Sequence, residues 1–226
     1  MATTDYDFTQ TRTQIIERAF RIIGVLGPGQ TLSGEQAVQA IAALNMLVKQ
    51  WQTKRIFLWT IQEDSQAFTT GDQSVTLGND ILGLDKVWYR QNNNQDIPVT
   101  IISFHEYEEF VNKQTTSNYP HYCAIDYDRS TPTLYIWPKA SQDFTLYFLA
   151  VKRLQDMDTS SGGADIPTRF LQALTYGLAD LLADEYGKSI QERSYIKSKY
   201  DEYFLEAANS DYEFEHVTMV APSYED

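Results

Sequence analysis

Two groups of carboxylates in this chain could do chemistry. Glu106, Glu108 and Glu109 crowd one short segment, and Asp180, Asp184 and Glu185 crowd another. A glycosidase needs an acid and a second carboxylate roughly 5 to 9 Å apart across a cleft, with one pKa raised by burial. Asp180 and Asp184 are four residues apart on a predicted helix, so they are neighbours on one face. A solvated or intersubunit polar face accounts for them better than a cleft does. His105, His121 and His216 stand far apart, and none shares a two- or three-ligand spacing with another His or Cys, so they do not compose a zinc site. Cys123 lies two residues from His121 on a predicted strand, which would put both on one face. A buried structural thiol is the favoured reading over a nucleophile.

The glycines Gly24, Gly27 and Gly29 look at first like a phosphate loop. They follow a helical pattern rather than a strand, and no Lys-Ser/Thr pair closes them, so helix termination is the better account. No G-x-S-x-G elbow is present. Four tryptophans and fifteen tyrosines could stack on bases or sugars. Without a basic groove beside them they fit a core and protein–protein interfaces better. The sequence therefore assigns no catalytic residue, no cofactor site and no metal ligand.

The elements that would position these residues follow from periodicity. Thr11-x-x-Gln14 has the capping-box pattern, and Ile15, Ala19, Ile22 and Leu26 then recur at helical steps. Ser33-x-x-Gln36 opens a second helix with the stripe Ala37, Ile41, Leu44, Val48 and Trp51, and a short Gly-Pro-Gly link makes the two an antiparallel hairpin. From about Phe57 the period changes to two. Strands are predicted at 74–77, 87–89, 97–102, 122–127, 133–137 and 144–151, with a short helix over 104–113 whose Phe104, Tyr107 and Val111 face inward. The segment 156–165 is a Ser, Gly and Asp-rich loop. Pro167 opens a third helix carried by Phe170, Leu174, Leu178, Leu181 and Leu182, and Ser189-x-x-Glu192 a fourth with Ile196, Tyr200, Tyr203 and Ala207 on one face. After Asp211 the periodicity ends.

The fold class is α+β: a helical bundle from N- and C-terminal helix pairs, an inserted antiparallel β-rich lobe, and an extended C-terminal tail. The expected boundaries are 1–56 for the helical hairpin, 57–165 for the lobe, 166–211 for the helices packing on the first pair, and 212–226 for the tail. A chain of 226 residues that is 42% hydrophobic and 13% aromatic can bury a real core. Its one cysteine excludes an internal disulfide framework and suits a reducing cytoplasm. The polar first eight residues do not read as a secretory signal. No run nears the roughly 20 apolar residues that span a bilayer, so no membrane anchor is expected and the chain reads as soluble. A net charge of −13 argues against a tight DNA binder, because such proteins gain affinity by neutralising phosphates with Lys and Arg.

Five stretches, taken in order, carry a resemblance. They are Arg18-Ala19-Phe20-Arg21-Ile22-Ile23-Gly24-Val25-Leu26-Gly27-Pro28-Gly29; Ala43-Leu44-Asn45-Met46-Leu47 with Trp51 and Phe57-Leu58-Trp59; and Thr133-Leu134-Tyr135-Ile136-Trp137-Pro138. Ile166-Pro167 with Ala173-Leu174 comes next, and then Leu178-Ala179-Asp180-Leu181-Leu182-Ala183-Asp184-Glu185-Tyr186-Gly187. In this order they resemble the head-to-tail adaptor of short-tailed phages, the tail accessory or packaged-DNA stabilisation factor, over about Thr11 to Gly187. Phe20, where the family commonly has leucine, and Lys139-Ala140 after Trp137-Pro138 depart from its wording and touch packing only.

The resemblance implies a structural virion protein of the tail connector, assembled in the host cytoplasm. It implies a homo-oligomeric ring of twelve that binds the portal protein and extends the channel for double-stranded DNA without sequence-specific contacts. The ring would help retain packaged DNA through packaging and until ejection, and carry the tail nozzle, fibre or spike proteins. The tail residues Tyr212, Phe214, Val217, Met219, Val220 and Tyr224, scattered in an acidic segment, are the expected contacts to portal or neighbouring subunit. Two alternatives stay open: a tail-associated peptidoglycan hydrolase, since a wall-degrading role has been proposed within the family, and an acidic binding module unrelated to phage.

Overall fold

The computed structural model describes residues 10–53, 58–91, 95–127, 131–157 and 166–210. In chain order the elements are α1 (Arg12–Ile22), α2 (Gly34–Gln52), β1 (Ile61–Phe68), β2 (Ser74–Thr76), β3 (Ile81–Arg90), β4 (Asp96–Ile101) and α3 (Phe104–Glu108). They continue with β5 (Thr116–Ser117), β6 (Tyr122–Tyr127), β7 (Pro132–Trp137), β8 (Lys139–Ala140), β9 (Phe144–Lys152), α4 (Leu171–Glu185) and α5 (Ile190–Asn209). The molecule is α+β, and its chain divides into two compact units. One takes the chain up to Leu58 and again from Met157 onward; the other is Trp59–Asp156.

Local chemistry sets the helix starts. In α1, α2, α3 and α5 the cap hydroxyls of Thr11, Ser33, Ser103 and Ser189 each accept from the backbone N–H three residues on. The side chains of Gln14, Gln36, Glu106 and Glu192 reach back to the cap N–H, so two orphan donors are satisfied at each start. α4 has no side-chain cap and instead follows a 3₁₀ turn at Thr168–Phe170 behind Pro167. α1 and α4 end at glycines in the left-handed region, Gly24 at φ 67° and Gly187 at φ 61°. There the N–H groups of Val25 and Lys188 turn back to the carbonyls of Phe20 and Ala183, both at 3.0 Å.

In the helical unit α4 packs on α1, α2 and α5, and α1 meets α4 more extensively than it meets α2. Small residues let the helices approach. A Cβ on Gly177 would lie 2.9 Å from both Leu47 Cδ2 and Tyr200 Cε2. Leu44, Trp51, Leu174 and Leu178 are fully buried. The Trp51 indole Nε1–H donates to the Tyr200 hydroxyl at 2.8 Å, and its ring meets Phe170 and Phe204 at centroid distances of 5.9 and 5.3 Å. The buried Thr175 hydroxyl donates to the Leu171 carbonyl within the helix, so its burial leaves no orphan donor.

The β unit holds a seven-stranded, nearly closed sheet in the order β1-β9-β3-β4-β6-β7-β2. Its inner face forms one cluster that includes Phe68, Val87, Val99, Cys123, Leu134, Ile136, Leu146 and Phe148. The expected all-antiparallel lobe needs correction at two places: β4 pairs with β6 in parallel, and so does β5 with β8. Parallel neighbours need a crossover, and residues 102–121, carrying α3, supply it.

That crossover covers the outer face of β6 and β7 with rings. Phe104 and Tyr107 lie on Tyr135, each at 5.2 Å, and Phe110 stacks on Trp137 at 4.6 Å and meets Tyr122 at a tilt at 5.7 Å. The expected helix over 104–113 is therefore shorter, ending at Glu108, and Val111 is fully exposed rather than inward. Phe110, just past the helix, takes the inward place. β1 was not expected as a discrete strand; all eight of its residues pair with β9. Lys152 of β9 ties it to the sheet by holding Asp64 at 2.7 Å and Asp80 at 2.8 Å.

Candidate functional site

Most of the carboxylates singled out above have structural employment. Glu106 caps its own helix, and the backbone and hydroxyl of Ser103 hold its carboxyl below the ordinary range. Glu108 pairs with Lys113, and Glu109 lies 3.7 Å from the exposed His105. On α4, Asp184 pairs with Arg193 at 2.6 Å. Burial raises the Asp180 carboxyl, partly offset by Lys197 and Arg193. These are the polar contacts of one helix with the next, and Glu185 beside them is exposed. Among the described residues no three His, Cys, Asp or Glu side chains gather as a metal site.

His121 and Cys123 differ sharply in burial. His121 precedes β6 and is exposed, its ring edge-on to Tyr119 at 5.2 Å. Cys123 is fully buried in the sheet core, where burial alone pushes its thiol up to about 12, so it is no thiolate at neutral pH. His216 and the tail residues Tyr212, Phe214, Val217, Met219, Val220 and Tyr224 lie outside the described residues. The glycine cluster follows α1. Gly24 and Gly29 take positive φ, and the Gly27 N–H is occupied by Gln30 Oε1 at 2.9 Å, so that donor does not await a phosphate.

What the molecule turns outward is surface. In the β unit Ile101 and Tyr127 are exposed beside a shallow depression lined by Leu84, Ile102 and Phe104. Across β9, β3 and β4, Tyr147, Trp88 and Pro98 stand in one cross-strand row. Trp88 stacks on Tyr147 at 6.3 Å, and Arg90, clamped by both Asp96 oxygens at 2.7 and 2.9 Å, lies 4.5 Å over the Tyr147 ring. In the helical unit α2 presents Val38 and Met46, and α5 presents Ile190, Tyr195 and Leu205. In the sequence the α2 face is masked by the stronger signal of the buried stripe. The complementary positions 38, 42 and 46 were legible at the same helical spacing.

The side chains with chemical potential mostly build caps, ion pairs and core, and the outward offer includes apolar and aromatic faces on a helical unit and a β unit. The family model described as SU10 adaptor protein matches residues 10–219, and the chain belongs to that family. It is a phage head-to-tail adaptor, a structural protein of the virion in its tail and connector region. No curated protein matches it. Among solved structures, a chain from the neck of an empty GTA particle, computed with C6 symmetry, aligns over 76% of this chain and 81% of its own length. The identity is 11% and the TM-score 0.26, a likeness too distant to argue from.

Proposed function

We propose that this adaptor assembles as a ring of twelve beneath the portal, extends the DNA channel, helps retain the packaged genome and carries the nozzle, fibre or spike proteins. The observation that carries the reading is the family match over residues 10–219. In this reading the N- and C-terminal helix pairs, 1–56 and 166–211, act as one bundle, and α4 packing on α1, α2 and α5 supports it. The lobe 57–165 is inserted between the two helix pairs, and the tail 212–226 docks on portal or neighbouring subunit through Tyr212, Phe214, Val217, Met219, Val220 and Tyr224. Four acidic residues follow Asp211 without a Lys or Arg, so apolar contacts rather than basic ones would hold the tail.

DNA retention then comes from shape and plugging. With 31 acidic against 18 basic residues, the wall repels phosphate on balance and leaves the duplex free to slide. DNA-filled heads assembled without this protein supply the test. Added protein should protect their DNA from nuclease, and a chain truncated after Asn209 should keep its fold but protect poorly. Heads left equally sensitive with and without the full chain would overturn the reading.

A further inference from the structure

We infer that the outward face of α2 is a contact for a second copy of this chain, with the line Val38, Ala42 and Met46 packing against a different face of the neighbouring protomer. The inference rests on the ring proposed above and names the surface that builds it.

The first observation is a contrast between two helices of one unit. α2 has 19 residues, and only Glu35 and Lys49 are charged, so Gln36 through Val48 carry no charge. α5 has 20 residues, seven of them charged between Glu192 and Glu206. Each helix buries one side and exposes another. Both helices expose large apolar side chains, but those of α5 (Ile190, Tyr195 and Leu205) stand among charges, whereas Val38 and Met46 of α2 do not.

The second observation is continuity. Val38 is 68% exposed, Met46 is 63% exposed, and Ala42 between them is exposed as well. Residues four apart on a helix are about 5–6 Å from one another, so the three form one ridge rather than scattered apolar points. An i, i+4 ridge is the surface that helices use to pack on each other, and a small residue at its centre lets a partner come close. The stripe cannot turn inward to hide, because Leu44, Leu47, Val48 and Trp51 already fix the other side of α2 in the core.

Charge selects the occupant. Two copies of a protein with net charge −13 repel wherever acidic surface meets acidic surface. An uncharged helix face lets a like-charged copy approach without that cost. A basic partner or a nucleic acid would gain nothing from it. Ring closure requires the face opposite to be a different one, since a face that pairs with itself closes a dimer.

The test places the photo-crosslinking residue p-benzoylphenylalanine at Met46 and irradiates the protein bound to purified portal, with assembly scored by cryo-electron microscopy. Chain-to-chain adducts forming a ladder beyond the dimer, mapped to a peptide outside α2, are expected. Ala42→Glu should keep the wild-type Tm and weaken assembly at least tenfold, while Ser198→Glu on the exposed side of α5 should change assembly less than twofold. A ring that forms but gives only portal adducts, only α2-to-α2 dimers or no adduct overturns this inference and leaves the ring standing. Ala42→Glu assembling like wild type does the same. Absence of any ring from the wild-type protein overturns both.

Discussion

In the helical unit one helix does most of the packing: α4 touches α1, α2 and α5, and Ala173, Gly177, Ala179 and Ala183 are buried along it. In the β unit the core is shared among strands, with buried residues drawn from β1, β3, β4, β6, β7 and β9, and rings cover part of the outer face as well. Close backbone packing leaves little room for collapse around a lost side chain. A core assembled from large side chains on many strands can shift several neighbours a little. The same deletion should therefore cost more in the first unit than in the second, since the penalty of a cavity depends on how far its walls relax.

Leu174 of α4 and Leu134 of β7 are both fully buried and make the sharpest version of that comparison. Leu174→Ala is expected to cost about 4 kcal/mol and Leu134→Ala about 2–3 kcal/mol, within the usual range for such deletions. By calorimetry the first should lower Tm by roughly 8–16 °C, at about 2–4 °C per kcal/mol for a chain of this size. The reverse order would break the comparison.

Tyr200→Phe removes the acceptor of the buried Trp51 indole and leaves its N–H without that bond. A loss of about 1–3 kcal/mol in urea unfolding is expected, and a neutral result would show that the indole finds another partner at no cost. Gly177→Ala tests close approach directly. Alanine is the better helix former by about 1 kcal/mol, but the new methyl would press on Leu47 and on a Tyr200 ring held by Trp51. Overpacking of this kind costs about 1–3 kcal/mol, so a net loss of roughly 1 kcal/mol is expected. A gain in stability would mean that the helices are further apart than described.

The smallest effect belongs to the β unit's edge. The hydrogen bond from Lys152, opposed in part by burial, lowers the Asp64 carboxyl. Burial pulls the Lys152 ammonium down, but Asp64 and Asp80 outweigh it and raise it. A carboxyl lowered in the folded state stabilises above its ordinary pKa of 3.8, and that contribution is lost as pH falls through the lowered value. Asp64 is partly exposed, so the pair is worth only about 0.5 kcal/mol. Asp64→Asn should lower Tm slightly at pH 7 and match wild type once pH has fallen well below the lowered Asp64 value. A difference that persists in acid would point to a role other than charge.

The two units also differed in how far the sequence exposed them. Thr11 and Gln14, Ser33 and Gln36, and Ser189 and Glu192 marked their helices because a capping box needs only local residues. Ser103 and Glu106 carry the same signature, yet the helix beyond was drawn too long. Its end depends on Phe110 finding Trp137, a contact between distant positions. β7 and β9, expected at 133–137 and 144–151, were legible to within one residue at each end, since alternation reports a half-buried strand. β1 was not, because Gln62, Glu63, Asp64, Ser65 and Gln66 show no alternation; pairing with β9 makes it a strand. The parallel β4–β6 register was likewise hidden, since pairing order is set by tertiary contacts. At the candidate surfaces Cys123 is buried, as its structural reading expects, whereas Asp180 and Asp184, expected on a solvated or intersubunit face, meet the charges of Lys197 and Arg193 on the next helix. The spacing did not separate exposed His121 from buried Cys123, because the strand begins one residue after His121.

The central claim is that this adaptor builds a ring on the portal. Cryo-electron microscopy of purified portal rings mixed with an excess of the protein tests it most directly. Class averages should show a second annulus coaxial with the portal, with twelve protomers and an open channel through both. Bare portals, or protein scattered on them singly without an annulus, at concentrations where the chain is folded and in excess, would contradict it.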